Sequence, residues 1–175
     1  FMTSDADLIR ILTSVKTIAL VGWSPKEDRP SHRVAKYLLS QGYRVIPVNP
    51  GHAGEQALGE TVRASLSEID IPVDMVDIFR NSEAAGPITD EAIKHGAKVV
   101  WMQLGVVNMD AAARAEKAGL KVERLTAGPR QLHHSAAAEV DAEIEMADGD
   151  QHGIEIGALL RPFERHRALA GEDLV

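Results

Sequence analysis

The sequence predicts an α/β fold: an open, doubly wound parallel sheet with helices on both faces. Three observations predict it. Aliphatic runs recur along the chain, at Thr17-Ile18-Ala19-Leu20-Val21, Arg44-Val45-Ile46-Pro47-Val48, Asp74-Met75-Val76-Asp77-Ile78-Phe79 and Lys98-Val99-Val100-Trp101-Met102. Unbroken runs of this kind suit strands buried on both faces. Segments of helical spacing separate them, and Gly42, Gly96 and Gly119 stand where helices should end. Strands alternating with helices imply parallel order.

Asp5 to Ser14 reads as a short amphipathic helix with Leu8, Ile9, Ile11 and Leu12 on its apolar side and Ser4 or Asp5 as cap. The run from Thr17 closes at Gly22. A loop from Trp23 to Ser31 follows, then a helix from about Ser31 to Gln41 with Val34, Ala35, Leu38 and Leu39 inward. The strand from Arg44 ends at Asn49-Pro50-Gly51. These pieces form a β-loop-α-β unit, the first half of a Rossmann-like sheet. The stretch from Gly51 to Pro72 is less regular, with a short strand or turn near Glu60 to Val62. After the strand from Asp74, Ser82 is placed to cap a helix running to about His95. The strand from Lys98 is followed by an Ala-rich helix, Met109 to Ala118, and by Leu120-Lys121-Val122. Beyond Val122 the rhythm breaks at Thr126-Ala127-Gly128-Pro129. Helices are expected at Ala136 to Met146 and at Ile154 to Leu169. The expected division is a Rossmann-like domain over residues 1–124 and a C-terminal extension over 125–175.

Composition narrows the function. The 175 residues carry a net charge of −7, whereas a general nucleic-acid surface is basic. There is no cysteine, which excludes disulfides, thiolate metal sites and cysteine nucleophiles. No apolar run approaches the roughly 18 residues of a membrane span. The N-terminal residues lack the basic start and apolar stretch of a signal peptide. The chain therefore reads as cytoplasmic, with no nucleic-acid or membrane partner.

In an open parallel sheet, ligands bind beyond the carboxyl ends of the strands. Those ends are Gly22-Trp23-Ser24, Val48-Asn49-Pro50, Phe79-Arg80-Asn81 and Met102-Gln103-Leu104-Gly105. The first loop carries Lys26 and Arg29 and then Pro30-Ser31 at a helix start. Free N–H groups there attract anions, and Arg and Ser add hydrogen bonds, so the loop suits a phosphorylated ligand. The alternative is a solvated surface loop with an N-cap serine. NAD fits poorly: only Gly22 of the G-x-G-x-x-G pattern is present, and Asn49 stands where NAD sites usually place an acid. Arg80 could instead cap the next helix or pair with Glu83, and Gln103 could simply close the sheet. Trp101 reads as a packed aromatic. His133-His134 lacks the carboxylate–histidine spacing of a metal site.

Three stretches carry a resemblance: Val21-Gly22-Trp23-Ser24-Pro25, Arg29-Pro30-Ser31-His32-Arg33-Val34-Ala35-Lys36-Tyr37-Leu38-Leu39, and Gly42-Tyr43-Arg44-Val45-Ile46-Pro47-Val48-Asn49-Pro50. With Val73 to Arg80 and Lys98 to Val106 they resemble the CoA-binding protein family, free-standing relatives of the nucleotide domain in the succinyl-CoA synthetase α subunit. The likeness runs from about residue 8 to 122. It implies a Rossmann fold and coenzyme A, free or acylated, as ligand. It implies Gly22, Trp23 and Ser24 at the pyrophosphate turn, Arg29 and Ser31 near phosphate, and Val48, Asn49 and Pro50 at the nucleotide end. Phe79 and Arg80 would form a third wall, and Met102, Gln103 and Leu104 would border the pantetheine path. The sequence departs from the family at Glu123-Arg124-Leu125-Thr126, where members usually continue into an Asp-Arg-Cys segment. Full synthetases need a phosphorylated histidine in a further domain and a partner subunit. The leading expectation is therefore a CoA-binding module without catalysis of its own. The rivals are an acyl-transfer enzyme subunit that needs a partner chain, and an interaction protein with a decayed pocket. The extension would serve as a lid, an oligomerisation arm or a protein-binding segment, or be partly disordered.

Overall fold

The computed structural model describes residues 5–103 and 105–124. The helices expected after Ala136, His133-His134, Ser4 and Leu104 lie outside the described residues. Helix α1 spans Asp5–Ser14, strand β1 Thr17–Val21, helix α2 Pro30–Ser40 and strand β2 Arg44–Val48. A small antiparallel hairpin follows, β3 Gln56–Ala57 and β4 Glu60–Thr61. Then come β5 Met75–Ile78, α3 Ser82–His95, β6 Val99–Met102, α4 Met109–Lys117 and β7 Lys121–Arg124.

The five long strands form one parallel sheet in the order β2-β1-β5-β6-β7. Beyond β2 the sheet gains one more parallel bridge, Val48 to Arg63. There the Asn49 N–H donates to the Arg63 carbonyl at 2.8 Å, and the Arg63 N–H to the Pro47 carbonyl at 3.0 Å. With that bridge counted as a reduced third strand, the order in chain sequence is 3-2-1-4-5-6, the Rossmann order. The irregular stretch between Gly51 and Pro72 is thus the third strand position, and its backbone supplies only a hairpin and a bridge.

Alternation along the strands divides the core in two. One layer joins Ile18 and Leu20 of β1, Met75 of β5 and Val99 and Trp101 of β6 to Ile11, Leu12 and Val15 of the α1 region and Val34, Ala35 and Leu38 of α2. The other joins Ala19, Val76, Ile78, Val100 and Met102 to Ala85 and Ala92 of α3 and Ala111, Ala112 and Ala115 of α4. The alanines let these two helices approach the sheet closely, which suits a core so poor in aromatics. Helices therefore cover both faces.

Two local expectations need correction. Asn81, not Ser82, caps α3: its Oδ1 accepts from the Ala84 N–H at 2.8 Å. Asn is among the strongest N-cap residues, and the freed Ser82 hydroxyl instead accepts from the Val107 N–H at 2.8 Å, tying the helix start to the β6–α4 loop. Helix α2 begins at Pro30, with Arg29 at the cap position and no capping side chain, so Ser31 lies inside the helix rather than capping it. Proline at the first helical position is well tolerated because its missing N–H has no helical partner there.

Candidate functional site

The strand order reverses between β1 and β5, so the ligand crevice of such a sheet belongs at their carboxyl ends. Gly22 and Phe79 meet there. The Phe79 N–H donates to the Val21 carbonyl at 2.8 Å. Gly22 has φ +93°, and a Cβ built on it would stand 2.6 Å from the Phe79 carbonyl oxygen and 3.1 Å from Cδ of Arg80. Both the backbone conformation and the contact require glycine. The two strand ends are thereby drawn together as bare backbone.

The neighbouring turns are locked to each other. The Val48 carbonyl accepts from the Gly22 N–H at 2.9 Å and the Trp23 N–H at 3.3 Å. Asn49 Nδ2 donates to the Trp23 carbonyl at 2.7 Å, and Asn49 Oδ1 accepts from the Gly51 N–H at 2.8 Å. Both atoms of the Asn49 amide are thus engaged in shaping the loops. Pro50, exposed, opens the short 3-10 turn Pro50–His52. Val48 is buried and takes part through its backbone.

The Trp23 indole turns into the core. It stacks on His32, ring centres 6.3 Å apart at 27°, and meets His52 edge-on at 6.3 Å. The ring nitrogen Nδ1 of His32 lies 3.1 Å from the Ser24 carbonyl. Trp23 therefore faces the crevice with its backbone, and Ser24 is fixed from both sides, its Oγ accepting from the Lys26 N–H at 3.3 Å.

Around this turn stand three cations. Lys26, Arg29 and Arg80 are exposed, and none forms an ion pair or side-chain hydrogen bond among the described residues. Arg80 neither caps α3 nor pairs with Glu83. Ser31 is buried in the first turn of α2, and its hydroxyl makes no hydrogen bond among the described residues. An uncapped helix start, a free hydroxyl and unpaired guanidinium groups form a set of donors suited to phosphate.

Met102 and Gln103 end β6. Met102 is fully buried on the α3/α4 side. Gln103 lies on the opposite side, and its Nε2 donates to Asp77 Oδ1 at 2.8 Å. Asp77 is 1% exposed at the centre of the sheet, and burial pushes its carboxyl up to about 7, opposed by the Gln103 hydrogen bond. The sequence reading passed over Asp77 as a strand residue. An acid inside the aliphatic run Met75-Val76-Asp77-Ile78-Phe79 was the signal available.

The structure thus brings Gly22, Trp23, Ser24, Val48, Asn49 and Phe79 into one connected group at the β1, β2 and β5 ends. Among the described residues, no three His, Asp or Glu side chains converge as a metal site, and no helix is long and apolar enough to cross a membrane.

This fold is a Rossmann-like α/β domain. A family model described as "CoA binding domain" matches residues 16–126, and the chain belongs to that family. It is 41% identical over 119 residues to the "uncharacterized protein YneT" of Bacillus subtilis, covering 68% of this chain and 87% of the relative. Among solved structures it resembles Prb, a protein redesigned for binding, at 42% identity and TM-score 0.68, over 71% of this chain and 87% of that one. It also resembles a Thermus thermophilus protein at 37% identity and TM-score 0.67, over 70% and 91% of the two chains.

Proposed function

We propose that this protein is a non-catalytic binding module for coenzyme A or an acyl-CoA, holding the ligand at the carboxyl edge of the parallel sheet. The observation that carries this reading is the close approach of Gly22 to the Phe79 carbonyl, beside cations that have no partner among the described residues. Gly22 lets the β1 turn and the β5 end pack together as bare backbone, and a pyrophosphate would lie against that turn. Arg29, Lys26, Arg80 and Ser31 then supply donors to phosphate oxygens.

On this reading Val48, Asn49 and Pro50 border the nucleotide end. The pantetheine arm leaves the crevice along the β5–β6 side, past the backbone of Met102 and Gln103, whose side chains are buried. Membership of the CoA binding domain family supports the ligand class. A module of this kind would sense or carry its ligand in the cytoplasm.

A thermal-shift series tests the reading. A ligand that binds only the folded chain raises its melting temperature in a concentration-dependent way. CoA should do so, dephospho-CoA less, and NAD not at all. CoA recovered after prolonged incubation should be chemically unchanged. Equal shifts with all three ligands, or consumption of CoA, would overturn the proposal.

A further inference from the structure

The chain leaves the sheet at a corner that is apolar and open. Strand β7 runs parallel to β6, so its end at Arg124 lies at the carboxyl edge. There Nη1 of Arg124 contacts Sδ of Met109, at the start of α4. Met109 and Val107 are each 58% exposed, and among the described residues only Leu39, on α2, joins them as an exposed large hydrophobic. The backbone that carries the pair is tied down. The Val107 N–H donates to Ser82 Oγ at 2.8 Å, and Asn108 caps α4 by accepting from the Ala111 N–H at 2.9 Å. A fixed turn thus holds two apolar side chains in solvent where the chain passes on to residues 125–175.

Two side chains offer far less than the roughly 800 Å² per partner of a stable interface between separate molecules. A segment of the same chain needs less, because its docking is intramolecular and gains from a high effective concentration. The extension begins at Arg124, already in contact with the patch. The acids of the corner select the segment. Glu83 and Asp110 stand in the first turns of α3 and α4, both exposed, and neither forms an ion pair among the described residues. Arg124 is the cation beside them, and Arg114 is paired with Asp90. Residues 131–153 contain no lysine or arginine and carry Glu139, Asp141, Glu143, Glu145, Asp148 and Asp150. That stretch would set like charges against Glu83 and Asp110. Residues 154–169 differ. Ile154, Ile156, Leu159, Leu160 and Phe163 supply apolar surface, and Arg161, Arg165 and Arg167 outnumber Glu155 and Glu164.

We propose that residues 154–169 dock on the corner formed by Val107 and Met109, their apolar side chains covering this pair and their arginines facing Glu83 and Asp110. The docked segment stands at the same carboxyl edge as the crevice, beside β6, the neighbour of β5. It does so whatever ligand the crevice takes.

The full chain without ligand tests the docking. It has no cysteine, so Ala168→Cys gives a spin label one place to attach. Nuclear magnetic resonance of the methionine methyl groups supplies the readout. The label should take away most of the Met109 signal. That loss should be reversed by Leu159→Ser with Leu160→Ser, which alter only the docking segment, and reduced by Glu83→Lys with Asp110→Lys, which reverse the charge of the corner. The buried Met75 and Met102 signals show that each variant is folded.

A Met109 signal untouched by the label would overturn the proposal, as would a loss that persists undiminished in the Leu159 and Leu160 variant. A mixture separates the chain's own segment from that of a second copy. Spin-labelled chains without isotope are added to isotope-labelled chains without spin label, and the Met109 signal should then stay intact. A loss as large as in the single chain would give the corner to a second copy and contradict the intramolecular docking.

Discussion

The side-chain amide of Asn49 donates to the backbone carbonyl of Trp23 at 2.7 Å while accepting from the Gly51 N–H at 2.8 Å. One residue at the end of β2 thereby fixes the turn that ends β1. In a parallel sheet no hairpin joins these two turns, and this side chain adds to the two backbone bonds at the Val48 carbonyl that hold them. Asn49→Ala removes both bonds and leaves the part-buried Trp23 carbonyl without its side-chain donor. It should lower unfolding stability by about 1–2 kcal/mol, read as a lower urea midpoint at unchanged slope. An unchanged midpoint would show that the two turns hold each other through backbone alone.

Gly22→Ala should be worse. Its φ of +93° disfavours any side chain, and the new methyl would stand 2.6 Å from the Phe79 oxygen. A loss of roughly 1–3 kcal/mol is expected for such a backbone conflict, together with loss of ligand binding, since β1 and β5 must separate at the crevice. A variant that keeps full stability and binding would mean that the strand ends can part freely.

Arg29→Ala and Arg80→Ala should behave in the opposite way. Both side chains are exposed and have no partner among the described residues, so melting should stay within about 1 kcal/mol of wild type. Each should weaken CoA binding about tenfold, the worth of one charge-assisted contact, and reduce its salt dependence. Unchanged affinity in both variants would place the phosphates elsewhere.

Two aspartates, Asp77 buried and Asp74 half-buried, give stability opposite dependences on pH. Asp77 is raised by burial from 3.8 to about 7. Between those values the folded chain keeps a proton that the unfolded chain has released. Stability therefore falls as pH rises through this window and stays lower above it. Asp77→Asn should melt higher than wild type at pH 8, with the difference closing toward pH 4. Burial also acts to raise Asp74, at the other end of β5. The Thr17 and Lys16 N–H groups and the Lys98 ammonium outweigh it and leave that carboxyl below its usual value of 3.8. Its stabilisation is present above that value and lost as pH falls through the lower folded one. Asp74→Ala should therefore cost more at pH 7 than at pH 2. Differences that ignore pH would contradict both assignments.

The parallel sheet was legible because aliphatic runs closed by glycine admit few other readings. Four of the five sheet strands and the boundaries of α1 and α3 follow from Thr17-Ile18-Ala19-Leu20-Val21, its repeats and Gly96. The third strand position was not legible, because the single bridge at Arg63 is made by backbone and leaves no hydrophobic pattern. Cap identity was misread at Ser82, where two adjacent residues, Asn81 and Ser82, both carry a capping oxygen and only geometry chooses between them. The carboxyl-edge rule places the β1, β2 and β5 ends side by side, and the structure joins Gly22, Trp23, Ser24, Val48, Asn49 and Phe79 there. The inward turn of Trp23 and the pairing of Asp77 with Gln103 could not, since side-chain direction and a contact between residues 26 apart are not written in local spacing.

The central claim is that the carboxyl edge of this sheet binds CoA through its phosphates. The most direct measurement is calorimetric titration of the full chain with CoA, with dephospho-CoA and NAD alongside. Saturable CoA binding, weakened by loss of the 3′-phosphate and absent with NAD, is the predicted result. A folded, ligand-free protein that gives no heat with any of the three at several temperatures would contradict it.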